Sequence, residues 1–310
     1  MIFPSTSKNL EKASVLLKNE DVVAFPTETV YGLGGLARSD KAVKKIYQTK
    51  GRPSYNPLIV HVESLDQALS LGTFDRITLR VIEKFWPGPL TVVVPLKQPS
   101  LVSMGATAGL ATVAIRLSNH PVLLSLLNLV GEPIVAPSAN ASGFLSPTKA
   151  QHVEKCFPSM FILEGGETEK GLESTVIRSY EDRVVILRPG AITKEHIETS
   201  LGIPVFVVTE TPVIESPGQT LQHYSPTLPV RINVLSPLEG EVFLGFGQTK
   251  HKPVLNLSPE GCVVEAAHNL FSFLHTLDDP TKYKGIAVSP IPNMGVGVAI
   301  NDRLRRASTS

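Results

Sequence analysis

The chain has 310 residues, enough for one large or two modest domains. It is 42% hydrophobic and 18% charged, against a norm of about 25% charged, which excludes a mostly disordered protein. The net charge is +1, with 21 Lys/Arg against 19 Asp/Glu in residues 1–208 and 8 against 9 beyond them, so bulk charge will not hold nucleic acid.

Helical spacing of Leu10, Ala13 and Leu17 behind the Ser/Thr caps of residues 5–7 opens the chain, and the apolar run Val22–Phe25 reads as a buried strand ended by Pro26. The pattern then predicts a helix over Asp40–Thr49, a strand Leu58–Val62, helices near 64–71 and 75–85, and a strand Leu90–Val94. Strand Thr112–Leu117, a helix begun by Asn119 and Pro121, strand Pro133–Ala136, a helix after Ser146-Pro147-Thr148, and strand Phe161–Leu163 follow. Ser174–Tyr180 and Arg183–Leu187 read as a hairpin split by Glu181-Asp182. Helix Thr193–Leu201 ends at Gly202, and strand Pro204–Val208 closes an α/β unit with at least one antiparallel pair.

Residues 209–229 carry four prolines and almost no apolar periodicity, which predicts a linker. Beyond it, strands Val230–Leu235, Val242–Gly245 and Pro253–Leu257, a helix Cys262–Leu277, strand Gly285–Ser289 and a helix from Gly297 alternate as a small Rossmann-like α/β domain would. The expected division is 1–208, 209–229 and 230–310. No apolar run approaches the roughly 18 residues of a membrane helix, and Met1–Lys8 lacks the basic and apolar regions of a signal peptide. Cys156 and Cys262, both within apolar helical patterns, are too isolated for a disulfide framework or a zinc site, so a cytoplasmic location is expected.

Gly32-x-Gly34-x-x-Ala37 satisfies a dinucleotide fingerprint as a string. Six residues separate it from the preceding strand and Arg52 stands where the ribose acid should fall, so a tight glycine turn is the better account. Gly166 and Gly171 have P-loop spacing, but Leu172 replaces the lysine. Ser138 lacks the glycines of a nucleophile elbow and reads as a hydroxyl that binds. The histidines show no HxxxH or HxH pair, so no metal held by protein is expected. Six Lys/Arg crowd Arg38–Arg52. Lys41, Lys44 and Lys45 read as a solvated helix face, whereas Lys50-Gly51-Arg52-Pro53 projects two cations from a turn after the helix, as a polyphosphate requires. Thr27-Glu28-Thr29, Ser138-Ala139-Asn140 and Glu173-Ser174-Thr175 set short polar side chains at three strand ends, where open α/β sheets bind ligands.

Phe25-Pro26-Thr27-Glu28-Thr29-Val30-Tyr31-Gly32-Leu33-Gly34, Lys50-x-Arg52, Trp86-Pro87-Gly88-Pro89-Leu90-Thr91, Ala136-Pro137-Ser138-Ala139-Asn140 and Leu187-Arg188-Pro189-Gly190 together resemble the YrdC-like family, in order and spacing, over roughly residues 5–208. The linker and tail resemble the longer, two-domain threonylcarbamoyl-AMP synthases of that family. The resemblance implies an enzyme that joins L-threonine, bicarbonate and ATP into threonylcarbamoyladenylate plus pyrophosphate, for tRNA modification. It implies Lys50 and Arg52 as catalytic cations. Thr27, His61, Arg116, Ala136 and Ser174 would take threonine; Lys50, Ser54, Thr112, Ser138, Asn140, Ser146, Arg188 and Tyr224 would take ATP. Mg²⁺ would arrive with ATP, and downstream tRNA threonylcarbamoyl-transfer proteins and weak tRNA contact are implied as partners.

One departure stands out. The linker reads Ser216-Pro217-Gly218-Gln219-Thr220-Leu221-Gln222-His223-Tyr224, where the family pattern has cations at the positions of Thr220 and Gln222. His223 and Tyr224 remain for a lid, without those two charges to grip phosphates. An RNA-binding module is the competing reading, opposed by the mixed charge. A hydrogenase-maturation carbamoyl-transfer subunit shares the fold but needs zinc-finger cysteines that two lone cysteines cannot supply.

Overall fold

A computed structural model describes residues 1–208 and 224–308. The expected linker stretch 209–223, with Thr220, Gln222 and His223, lies outside the described residues. The elements run β1 (Ile2–Pro4), α1 (Ser7–Lys18), β2 (Val23–Phe25), β3 (Gly32–Leu36), α2 (Asp40–Lys50), β4 (Ile59–His61), α3 (Leu65–Leu71), α4 (Arg76–Phe85), β5 (Leu90–Pro95) and β6 (Thr112–Arg116). They continue with α5 (Pro121–Val130), β7 (Ile134–Val135), α6 (Ala150–Cys156), β8 (Ile162–Glu164), β9 (Thr175–Tyr180), β10 (Arg183–Arg188), α7 (Lys194–Leu201) and β11 (Val205–Val207). After the gap come β12 (Val230–Arg231), β13 (Glu241–Gly245), β14 (Leu255–Asn256), α8 (Val263–Leu277), β15 (Gly285–Val288) and α9 (Gly297–Ala307).

The first eleven strands form one mixed sheet in the order β1-β8-β2-β3-β7-β4-β6-β5-β9-β10-β11. Its pairings alternate in sense around the centre: β3, β7 and β4 run antiparallel in turn, β4 pairs β6 parallel, and β9 with β10 is the expected hairpin. The last four strands form a wholly parallel sheet, β12-β15-β13-β14, in agreement with the βα alternation read for this part.

Caps fix the helix starts. Thr6, Ser39, Ser64 and Asp75 each accept an amide from the first turn of α1, α2, α3 and α4. The cap of α5 is His120 rather than Asn119, its Nδ1 accepting the Val122 amide at 3.2 Å.

Two elements differ from expectation. Strand β1 has no helix-or-strand pattern of its own, because it is three residues long and pairs β8 some 160 residues away, Ile2 opposite Ile162. The glycine run is a strand, not a tight turn. Gly32–Leu36 pairs antiparallel with β2, and a Cβ on Gly34 would come within 2.4 Å of the Phe25 ring and 2.8 Å of Ile134. Glycine is needed there so that a neighbouring ring can lie flat on the strand. Gly34→Ala is therefore expected to destabilise the fold by about 1–3 kcal/mol through overpacking, read as a lower midpoint in urea; an unchanged midpoint would mean the Phe25 ring has room to move.

The two sheets do not keep separate cores. Val30, Leu145 and Leu172 from the first sheet's loops pack in one buried cluster with Leu270, Phe271 and Leu274 of α8 and Ile300 and Leu304 of α9. His275 of α8 stacks on His152 of α6, ring centroids 3.9 Å apart. Cys156 ends α6, whereas Cys262 is the exposed N-cap of α8 rather than an apolar helical position; both are free thiols.

Candidate active site

The cleft opens where β2, β4, β6, β7 and β10 end, and the second sheet's helices stand beside it. Its lining includes Thr27, Arg52, His61, Arg116, Ala136, Ser138, Ser174, Arg188 and Tyr224, so most of the expected substrate residues, 197 positions apart at the extremes, meet in one place. Thr29, Val30, Gly32, Ile59, Pro137 and Glu173 complete the wall.

On one side lies a buried ion pair. The Arg116 Nη2 stands 2.8 Å from Glu28 Oε1, with both side chains under 5% exposed. Ser118 donates its hydroxyl to the other Glu28 oxygen. Burial pushes the Glu28 carboxyl up, but Arg116 and Ser118 outweigh it and hold the group below its ordinary range. Arg116 Nε is buried and has no hydrogen-bond partner among the described residues. His61 is pushed down to about 3 by burial, then by Arg116, so it is a neutral imidazole at pH 7. Its Nδ1 is likewise without a partner there. Thr27 spends its hydroxyl on the turn, donating to Val30 O at 2.7 Å, so the turn-capping role of such residues holds alongside any ligand role.

The other side is cationic. Lys50 is the last residue of α2, and Gly51 follows in the left-handed conformation at φ 59°, which ends the helix and turns Arg52 back toward the same cleft. These two cations were expected on an exposed turn; both are buried instead, at 3% and 8% exposure. Lys50 Nζ donates to the carbonyls of Ser138, at 2.6 Å, and Asn140. Arg52 donates from Nη2 to Pro57 O at 3.0 Å and from Nε to Asn56 O at 3.3 Å. Burial, then mutual repulsion with Arg52, lowers Lys50 well below its usual value, and burial lowers Arg52 to about 10. Arg188 donates twice to Ser174 O, at 2.9 and 3.1 Å, and to Ser174 Oγ at 3.0 Å. Burial depresses it too, and the carboxylate of Glu173 partly offsets the loss. Arg52 and Arg188 line the cleft, and Lys50, which is not in the lining, stands behind Ser138, so this low-dielectric wall gathers positive charge that suits an anion of several charges.

Asn140 stands behind this wall with Nδ2 bound to Ala141 O and Phe144 O and Oδ1 buried without a partner among the described residues. Ser146 is buried behind Glu173, to which it donates its hydroxyl. Ser54 and Thr112 are not brought into the lining: Ser54 is exposed in the turn after α2, and Thr112 starts β6 at the end opposite Arg116. Glu28, Ser118, Glu173 and Arg303 were not singled out from the sequence as site residues. The signal for the first was present in Thr27-Glu28-Thr29, since an acid beside a cleft arginine needs a partner; Arg303 offered none. The expected solvated face of α2 holds, with Lys41 and Lys45 paired to Glu20 and Asp21.

Residues 15–190 match the Sua5, YciO and YrdC family model, described as telomere recombination, and residues 192–309 match the C-terminal domain of threonylcarbamoyl-AMP synthase. The chain is 41% identical to the threonylcarbamoyl-AMP synthase of Bacillus subtilis, over 96% of its own length and 92% of the relative's. The chain belongs to the threonylcarbamoyl-AMP synthase family. It is also 38% identical to the Pyrococcus abyssi member, over 96% of this chain and 93% of that one. The crystal structure of P. abyssi Sua5 complexed with L-threonine superposes with a TM-score of 0.90 at 34% identity, covering 100% of this chain and 98% of that one. Both sheets are thus common to the two molecules.

Proposed function

We propose that the cleft converts L-threonine, bicarbonate and ATP to L-threonylcarbamoyladenylate, with release of pyrophosphate and water, the adenylate serving threonylcarbamoyladenosine formation in tRNA. Family membership supports the reaction. The observation that carries the reading here is the division of one cleft into a cation-rich wall of Arg52 and Arg188, backed by Lys50, and a second wall where Arg116 is already neutralised by Glu28. A polyphosphate belongs on the first wall and a zwitterionic amino acid on the second.

The chemistry then needs little from side-chain nucleophiles. The threonine amine condenses with bicarbonate to a carbamate, losing water; a carbamate oxygen attacks the α-phosphorus of ATP, and the bond to pyrophosphate breaks. Arg116 Nε is free to take the threonine carboxylate, and neutral His61 can accept from the ammonium or amine through Nδ1. Lys50, Arg52 and Arg188 stabilise charge on the triphosphate and on departing pyrophosphate, which is catalysis by positioning and electrostatics. Ser138, Asn140, Ser146 and Tyr224 belong with the nucleotide side, and Ser54 and Thr112 would join it only by contacts beyond the present lining.

Mg²⁺ belongs to this reading as the ion carried by ATP, where it neutralises phosphate charge. The carboxylates at the cleft are engaged, Glu28 with Arg116 and Glu173 with Arg303, and no group of three or more metal-type side chains occurs among the described residues. Transfer proteins acting on tRNA would receive the product, and a cytoplasmic location suits that role. Among the described residues no helix is long and apolar enough to cross a membrane. We also take 1–208 and 230–310 as the two domains, since each holds a complete sheet.

Incubation with ATP, Mg²⁺, bicarbonate and threonine is expected to yield the threonylcarbamoyladenylate mass together with pyrophosphate. Pyrophosphate release that does not depend on threonine and bicarbonate would overturn the assignment.

A further inference from the structure

Arg303 lies on α9, in the smaller sheet's unit, yet it reaches across to the cleft. Its side chain is 1% exposed. Nε meets Glu173 Oε2 at 3.0 Å, and Nη1 meets Asp302 Oδ2 at 2.8 Å, while Arg306 holds the other Asp302 oxygen at 3.1 Å. The guanidinium carbon sits 5.1 Å from the centre of the Tyr224 ring, and the Phe271 ring lies 5.6 Å from the same ring. Glu173 and Tyr224 both line the cleft; Arg303 does not. The apolar side of α9 is already supplied by Ala299, Ile300, Leu304 and Ala307, so the fold of this unit does not require a buried cation. A guanidinium taken wholly out of water needs its charge matched, and Glu173 at the cleft is one of the two carboxylates that match it.

We propose that Arg303 is a positioning residue for the nucleotide: by neutralising Glu173 and backing the Tyr224 ring, it weakens the pull of Glu173 on Arg188 beside the phosphates of ATP. The proposal rests on the functional reading above. Without Arg303, the Glu173 carboxylate would keep only the Ser146 hydroxyl and the charge of Arg188 beside it. It would draw Arg188 to itself and repel a triphosphate entering beside it. The change reaches the threonine wall only through Ser174, which accepts from Arg188, because the carboxylate of that wall, Glu28, is paired with Arg116 inside the first unit. The smaller domain would therefore act more strongly on the nucleotide than on threonine.

Calorimetric titration of the full chain separates this role from that of a structural strut. Arg303→Met is expected to weaken ATP binding by about tenfold or more and threonine binding by less than about twofold. Arg303→Lys, which keeps the charge but not the fork, should fall between wild type and Arg303→Met. The double variant Glu173→Gln/Arg303→Met, which removes the carboxylate at the cleft and leaves Asp302 to Arg306, should return ATP affinity to within about threefold of wild type, and it carries the comparison if Arg303→Met does not fold. Equal weakening of both ligands, a lysine variant no better than methionine, or a double variant as weak as the single would each overturn the proposal. Wild-type protein that binds neither ATP nor threonine would instead overturn the reading on which it rests.

Discussion

Arg52→Ala and Lys50→Ala are each expected to lower the rate of adenylate formation by about 10²–10³-fold, the loss typical of removing one preorganised charge or donor from a reacting centre. The structure adds a second expectation that an exposed turn would not have carried. Lys50 ties the Ser138 and Asn140 carbonyls to the end of α2, and Arg52 ties those of Asn56 and Pro57. Alanine leaves these acceptors without their donors, at a cost of about 1–3 kcal/mol for each buried group that water cannot reach. Part of this is offset, since the same change removes a desolvated cation. Both variants should thus melt at lower temperature than wild type and remain folded at 25 °C, where the rate is measured. Arg52→Lys distinguishes charge from geometry: it keeps the cation but loses the planar fork, and should recover only part of the rate. A folded Arg52→Ala protein turning over at the wild-type rate would remove Arg52 from the site, and an unchanged melting point for Lys50→Ala would mean the Ser138–Asn140 loop is held by other bonds.

The cleft was legible wherever its residues follow from local backbone chemistry. Lys50-Gly51-Arg52 is a helix end with a left-handed glycine, and polar residues after β2 and β7 and before β9 lie where strand ends put them, so each could be placed from its own neighbours. What could not be read locally is what those groups touch. Glu28 meets Ser118 across 90 residues, and Glu173 meets Arg303 across 130. In sequence Arg303 lies beside Arg305 and Arg306 and has the look of a charged helix end. The glycines of β3 failed for the same reason: the pressure on Gly34 comes from the ring of Phe25 on the adjacent strand, and a string of glycines does not say whether the chain turns or a neighbour presses on it. Burial of Lys50 and Arg52 was missed because a cation next to glycine and proline ordinarily points to solvent. Only the carbonyls that receive them, those of the loop after β7 for Lys50 and of Asn56 and Pro57 for Arg52, make burial tolerable.

Stability of the wild-type protein is expected to fall by up to about 6 kcal/mol between pH 7 and pH 5, and the cause is three histidines, one buried and two half-buried. Burial, then Arg116, holds His61 to about 3; burial, then His275, holds His152 to about 3; burial lowers His275 to about 4, all from an ordinary 6.5. For a histidine whose folded value is depressed, the unfolded chain takes up a proton below pH 6.5 while the folded chain does not, so stability is whole above 6.5 and drains as pH falls toward the folded value. At about 1.4 kcal/mol per pH unit for each fully differential site, a descent to pH 5 withdraws about 2 kcal/mol per histidine. The buried carboxylates work at lower pH. Glu28 and Glu173 are held below their ordinary 4.5, so their contribution persists above that value and is lost as pH falls beneath it. Acid unfolding should therefore begin with the histidines and finish with the carboxylates. Two of the three histidines, His152 and His275, stack between α6 and α8, which places part of the early loss at the contact between the two sheets. Urea melts at pH 7, 6 and 5 measure the slope directly, and His152→Phe, away from the cleft lining, should flatten it by about one third. A free energy of unfolding that stays level from pH 7 to pH 5 would show that these rings protonate as readily in the folded chain as in the unfolded one.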